Sequence, residues 1–263
     1  MKRLGSLIGA YLLTALLIAC GGGSNGFSLT TAPASIARQI AAQRSFSAGS
    51  NLYVANLVGD TVTVYAPGSG AVLRTISHGV NEPEVLAFDG SGDLYVANDS
   101  YRYPRNRGGS VTVYAPGKTR ARLKIGPTQG VNVPKALAFD GSGNLYVANG
   151  GGNTVTAYAP GSGTVLRTIS QGVNVPAGLA FDGSGNLYVA NGGANTVTVY
   201  APGSGTILRT ISQDVNGPRS LVFDGSGNLY VANRVGNTVT VYAPGSGAVL
   251  RTISQSVYDP GAL

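Results

Sequence analysis

The chain has 263 residues, with 40 Gly, 13 Pro, one Cys, one His and no Trp, and only 11% of its residues are charged. Globular chains carry about a quarter charged residues and about 7% Gly, so this one is poor in charge and rich in turn formers, while its Val, Tyr and Leu argue against a solvated, disordered polymer. One Cys excludes a disulfide framework or a Cys-cluster metal site, and one His, His78, excludes a multi-His zinc centre; the formal charge is +7.

Residues 1–20 read MKRLGSLIGAYLLTALLIAC. Lys2 and Arg3 precede an uncharged, mostly apolar run from Leu4 to Ala19. That run is shorter than the ~20 residues that span a bilayer comfortably, and it has the layout of an export signal. Leu17-Ile18-Ala19-Cys20 resembles the lipobox of bacterial lipoproteins, with the sole Cys in the place that receives lipid. The resemblance implies a signal peptide over 1–19, cleavage before Cys20, and acylation of the Cys20 sulfur and new amino group. Several acyl chains anchor a protein stably where one does not. The expected location is therefore the bacterial cell envelope, with the membrane as a partner through the N-terminal lipid. Residues 20–40, which include GGGSNG, read as a flexible tether.

From residue 41 to 263 the chain repeats itself. The string LYVAN occurs five times, preceded by Asn51, Asp93, Asn144, Asn186 and Asn228, at spacings of 42, 51, 42 and 42 residues. A 42-residue unit with one nine-residue insertion explains all four intervals, and periods of roughly 40–45 residues point to four-stranded propeller blades. In the clearest unit, Gly178–Phe181 is strand A and DGSGN is a hairpin turn. Leu187–Ala190 is strand B, Thr196–Ala201 is strand C, PGSG is a second turn, and Thr206–Ser212 is strand D. The expectation is an all-β fold: a β-propeller of about five four-stranded antiparallel blades. Phe46 stands five residues before Asn51, as Phe88, Phe139, Phe181 and Phe223 precede their own strands B. Ala41–Phe46 is thus expected to supply strand A of the first blade. Pro260–Leu263 matches Pro176–Leu179, the start of another unit. A closed or nearly closed ring of five is the favoured reading, with a chain cut short from a longer propeller as the alternative.

The unit P-x-x-L-A-F-D-G-S-G-N-L-Y-V-A followed by N-T-V-T-V-Y resembles the NHL repeat of bacterial propeller proteins. Strand B ends in Asn56, Asn98, Asn149, Asn191 and Asn233, where many NHL units have Asp, which weakens any metal or catalytic role carried over to that position. Some propellers of this kind bind RNA, but export argues against nucleic acid here.

Within one repetitive chain, framework residues obey the repeat and a chemical site should break it. Asp89, Asp140, Asp182 and Asp224 recur as turn residues, and DGSGN lacks the spaced carboxylates of a calcium loop. No metal or cofactor is expected. The D–A and B–C loops share one face of the disc, and that face carries the variation: His78, Glu82 and Glu84 in one loop, and the insertion Asp99–Gly109 in another. Loops on a rigid scaffold are where binding usually resides. Tyr101, Arg102, Tyr103, Arg105 and Arg107 in the insertion, with Lys118, Arg120, Arg122 and Lys124 after it, form a basic second blade. They suit an anionic envelope polymer, or they protect an outer edge strand from strand addition. The favoured function is a non-enzymatic, monomeric binding or scaffold domain for a protein, glycan or envelope polymer. The rival is a hydrolase or lyase built from His78, Glu82, Glu84 and Asp99.

Overall fold

The computed structural model describes residues 17–20, 51–99 and 108–263. These form five four-stranded sheets, each a simple antiparallel meander. The first holds β1 (Leu17–Cys20), β2 (Asn51–Asn56), β3 (Thr61–Tyr65) and β4 (Val72–Ile76). The second holds β5 (Pro83–Phe88), β6 (Leu94–Asn98), β7 (Ser110–Tyr114) and β8 (Leu123–Ile125). The third runs β9 (Pro134–Phe139), β10 (Leu145–Asn149), β11 (Thr154–Tyr158) and β12 (Val165–Ile169). The fourth runs β13 (Pro176–Phe181), β14 (Leu187–Asn191), β15 (Thr196–Tyr200) and β16 (Ile207–Ile211). The fifth runs β17 (Pro218–Phe223), β18 (Leu229–Asn233), β19 (Thr238–Tyr242) and β20 (Val249–Ile253).

The second, third and fourth sheets each sit between two neighbours, so their strands B and C must be apolar on both faces. Val189, Val197 and Val199 are fully buried, as are their counterparts in the second and third sheets. Consecutive blades are keyed by one aromatic pair each: Tyr53–Phe88, Tyr95–Phe139, Tyr146–Phe181 and Tyr188–Phe223. All four are edge-on, at 4.9–5.0 Å between ring centres. Edge-on rings at this distance add about 0.5–1.5 kcal/mol beyond burial. The second hydroxyl-bearing column, Tyr114, Tyr158, Tyr200 and Tyr242, is also fully buried. Its hydroxyls donate to the carbonyls of His78, Gln129, Gln171 and Gln213. These bonds tie each blade to the loop that enters it.

Each strand B ends in an Asn that acts as a three-way junction. Asn191 is fully buried; its Nδ2 donates to Thr198 Oγ1 at 2.9 Å and Thr196 Oγ1 at 3.2 Å. Its Oδ1 accepts from the backbone N–H of Asn174 at 3.0 Å. Asn98, Asn149 and Asn233 repeat the arrangement. An ionised Asp there would have no hydrogen to give the Thr pair.

The first blade departs from expectation. The place beside β2 is filled by Leu17–Cys20, the end of the expected signal peptide and the expected lipid-bearing Cys. Ala41–Phe46, expected there, lie outside the described residues. The physical reason is that the free edge of β2 presents unpaired N–H and C=O groups that any extended segment can satisfy. The pairing runs Leu17↔Val54 to Cys20↔Asn51. The outward face of this blade also differs: Leu52, Val54, Thr63 and Tyr65 are half-buried, whereas Leu94, Val96, Thr112 and Tyr114 are buried. Inner strands pack from β5 to β9 to β13 to β17. Past β17 the pattern persists into the C-terminal segment, where the Leu263 N–H donates to Ser220 Oγ at 3.3 Å.

Candidate functional site

The variable face is assembled by a repeated latch. Glu82, Val175, Gly217 and Asp259 all have left-handed backbones, with φ between 45° and 59°. Their N–H groups donate to side-chain oxygens of the preceding blade's B–C loop: Asp60, Asn153, Asn195 and Asn237, at 2.7–2.8 Å. The second blade breaks this rule because its B–C loop carries the insertion. There the Val133 N–H donates to the backbone carbonyl of Gly108 at 2.7 Å. Gly109 beside it must be glycine, since a Cβ would sit 2.5 Å from Pro134 Cδ and 2.7 Å from the Asn98 carbonyl.

Strand A begins with Pro in four sheets, and each of these strands has a bulge directly after it. Pro83 pairs with Asn98, then Val85 with Ala97; Pro134 with Asn149, then Ala136 with Ala148; Pro218 with Asn233, then Ser220 with Ala232. The skipped residues are Glu84, Lys135 and Arg219, with Ala177 in the fourth sheet. A bulge leaves its extra residue out of the ladder and re-aims its side chain. Here it gathers the position of strand A at which charge varies between blades at the mouth of the central channel.

The result is a chain of charges that no single repeat contains. Lys135 Nζ lies 2.6 Å from Asp99 Oδ2 and 3.0 Å from Glu84 Oε2. Arg219, from the fifth sheet, reaches Glu84 Oε1 at 3.0 Å. Burial pushes the Asp99 carboxyl up, against the pull of Lys135. Burial pulls the Lys135 ammonium down, but Glu84 and Asp99 outweigh it and hold its proton above the ordinary range. Asp99 Oδ1 is buried and accepts no hydrogen bond among the described residues. Lys135 and Arg219 were missed in the sequence; the signal that would have found them was variation at the residue after Pro, read as E, K, A and R.

The structure thus joins Glu84 and Asp99 and leaves His78 apart. His78 is exposed, and its contribution is the backbone carbonyl that Gln129, Gln171 and Gln213 supply in other blades. Glu82 is buried, with its N–H in the latch and its carbonyl accepting from the Asp99 N–H at 3.1 Å. Among the described residues no three His, Cys, Asp or Glu gather as a metal-binding set.

The basic second blade divides. Tyr101, Arg102, Tyr103, Arg105 and Arg107 lie outside the described residues. Lys118 and Arg120 occupy the β7–β8 turn, at the opposite end of the strands from the insertion. Arg122 is paired with Asp93 through Nε at 2.8 Å and reaches the Gly161 carbonyl at 3.2 Å. Lys124 is exposed on β8, opposite Thr112. In this sheet Leu123 faces Val113, where the other four sheets place Arg74, Arg167, Arg209 and Arg251. The aspartates of the opposite face are turn residues: Asp182 Oδ1 accepts from Ser184 and Asn186 N–H groups, both at 2.9 Å.

No family profile and no curated protein sequence matches the chain. Solved structures do. Virginiamycin B lyase from Staphylococcus aureus matches with a TM-score of 0.67 at 12% identity, over 83% of this chain and 71% of that one. A catalytically inactive form of virginiamycin B lyase from the same organism, with quinupristin, matches with a TM-score of 0.67 at 11% identity, over 95% and 78%. The WD40 propeller of Doa1 matches with a TM-score of 0.66 at 11% identity, over 81% and 67%. The chain is a β-propeller. At such identities the likeness is one of fold, and chemistry must be argued from the channel mouth itself.

Proposed function

We propose that this propeller is of the NHL-repeat type, exported and lipid-anchored through Cys20, with cleavage before Cys20 taking Leu17–Ala19 of β1 away from the β2 edge, and that it acts as a non-enzymatic binding module for an envelope partner. The observation that carries this reading is the convergence of Glu84, Lys135, Asp99 and Arg219 at the mouth of the channel, on the one face where the blades differ. Two cations and two carboxylates in mutual contact make a rigid polar surface suited to recognition. Photo-crosslinking from envelope fractions, with the native chain against Glu84→Gln, tests it: a captured protein or polymer should be lost in the variant. Cys20→Ser should abolish lipid mass and detergent partitioning; a cleaved variant that still partitions would overturn the anchor.

The lyase reading draws on Glu84 and Asp99 standing together at the channel and on the likeness to virginiamycin B lyase. Against it, the Lys135 ammonium bridges the two carboxylates, and with Arg219 on Glu84 it balances their charge. Incubation of the full chain with quinupristin decides between them. Consumption that depends on Glu84 or Asp99 would establish the lyase.

A further inference from the structure

A cleft of about 710 Å3 opens between the second and third blades on the variable face. That is within the roughly 300–1,000 Å3 of small-molecule sites. It exists because two departures from the repeat meet there. Between β8 and β9 the loop makes an extra turn, Pro127–Gln129, closed by Gly130 with φ of 89°. The latch above it is made by the Gly108 carbonyl rather than by a side chain. In the second, fourth and fifth sheets the middle Thr of strand C draws this loop inward: Thr112 donates to the Gly79 carbonyl, Thr198 to Gly172 and Thr240 to Asp214. In the third sheet Thr156 makes no such bond to the Gly130 carbonyl, and it forms the floor of the cleft.

The polar groups left over are all neutral. Thr154 accepts from Asn149 and keeps its own hydroxyl proton. Thr168, opposite Thr156 in the register, is exposed with its hydroxyl unspent. The side-chain amide of Asn132 takes part in no hydrogen bond among the described residues; its backbone N–H donates to Asn149 Oδ1 and its carbonyl accepts from the Gly151 N–H. Pro127 adds an apolar wall, and among the described residues no charged side chain lines the cleft. Hydroxyls on one face of a strand pair repeat at about 5–7 Å, a spacing that suits a ligand offering many hydroxyls.

We infer that this cleft is a subsite for a neutral oligosaccharide, held by Thr154, Thr168, Asn132 and the Gly130 carbonyl. It rests on the reading of this face as the binding face, and it names the chemistry: sugar hydroxyls both donate and accept, as these groups require, and the described lining residues offer an ionic ligand no counter-charge.

The test is titration of the full-length protein with maltotriose and with chitotriose, followed by NMR or calorimetry. At least one binds with a Kd of about 1 mM or tighter. Thr168→Val and Asn132→Ala each weaken that affinity about tenfold, the share of one or two hydrogen bonds. Thr210→Val, the same position in the fourth blade, leaves it unchanged. No binding of either sugar at about 10 mM overturns the inference. So does binding that survives both cleft variants but is lost in Glu84→Gln, which would move the ligand to the channel mouth and leave the reading of the face intact.

Discussion

Asn191→Asp is the sharpest probe of why this propeller departs from the Asp-bearing pattern. The change swaps Nδ2 for an oxygen that faces Thr198 Oγ1 at 2.9 Å, while Thr198 has already given its proton to the Gly172 carbonyl. The Asn174 N–H remains as a donor, and the Thr196 hydroxyl, which only accepts at present, can turn to donate across 3.2 Å. With the new carboxyl protonated, one hydrogen still serves the Thr pair, and the loss is about one hydrogen bond, near 1 kcal/mol. Ionised, it is a buried charge without a cation, so its folded-state pKa rises above the unfolded value of ~3.9. A rise of about two units adds about 2.7 kcal/mol. The sign follows from linkage: below pH 4 both states are protonated and the ionisation cost is absent. As pH climbs through the unfolded pKa the unfolded state sheds its proton first, and stability falls until the folded group ionises too. The expected destabilisation is therefore about 1 kcal/mol at pH 4 and about 4 kcal/mol at pH 7.5. Urea titrations of both proteins at the two pH values measure it. Asn56→Asp is the internal control, because Asn56 bonds Thr61 and Thr63 in the same way but is half-buried on the open face of the first blade. It should lose less and show a weaker pH dependence. An equal loss at pH 4 and 7.5 for Asn191→Asp would refute the argument.

Three further outcomes are expected. Lys135→Met leaves Glu84 and Asp99 facing each other without their shared cation and should cost about 2 kcal/mol at neutral pH. That cost should shrink in acid as Asp99, already pushed up by burial, takes a proton; differential scanning calorimetry at pH 4 and 7 would show it, and an unchanged Tm at pH 7 would refute the clasp. Asn153→Ala removes the 2.7 Å bond to the Val175 N–H from a residue at φ 51° and should cost about 1–2 kcal/mol in urea denaturation, with Asn153→Gly costing less because glycine tolerates that backbone. Tyr158, Tyr200 and Tyr242 are pushed by burial up to about 12. Absorbance at alkaline pH should accordingly show these phenols un-ionised near pH 11, and ionisation near pH 10 in the folded protein would mean that they are not buried between the blades as described.

Strand placement was legible because the repeat confines its own alternatives. Gly178–Phe181, Leu187–Ala190, Thr196–Ala201 and Thr206–Ser212 agree with the observed strands to within two residues at each end. The Asp182 and Ser204 turns form as their residue types require. The channel mouth was half legible. Glu84 and Asp99 stood out as breaks in the repeat, but Lys135 and Arg219 looked like ordinary surface charges, because the bulge after Pro is invisible in a string of letters. His78 stood out for its rarity, yet its working atom is a backbone carbonyl that any residue supplies. That Arg122 pairs with Asp93 while Lys118 stays in the β7–β8 turn was not legible either, because the pairing of β8 decides which side chain finds a partner.

What the sequence determined by itself is local and periodic. Turn residues, β-branched runs and a 42-residue spacing suffice for four strands per unit and for five sheets, since each follows from interactions within about forty residues. What only the tertiary structure decided is which residues meet around the axis. Glu84 and Arg219 are 135 positions apart yet 3.0 Å in space. Their meeting depends on the angle between successive sheets and on a bulge that turns one side chain per blade inward. Occupancy of the open edge of β2 was decided in the same way: backbone hydrogen bonding is blind to side-chain pattern, so Leu17–Cys20 satisfied that edge although the repeat pointed to Ala41–Phe46.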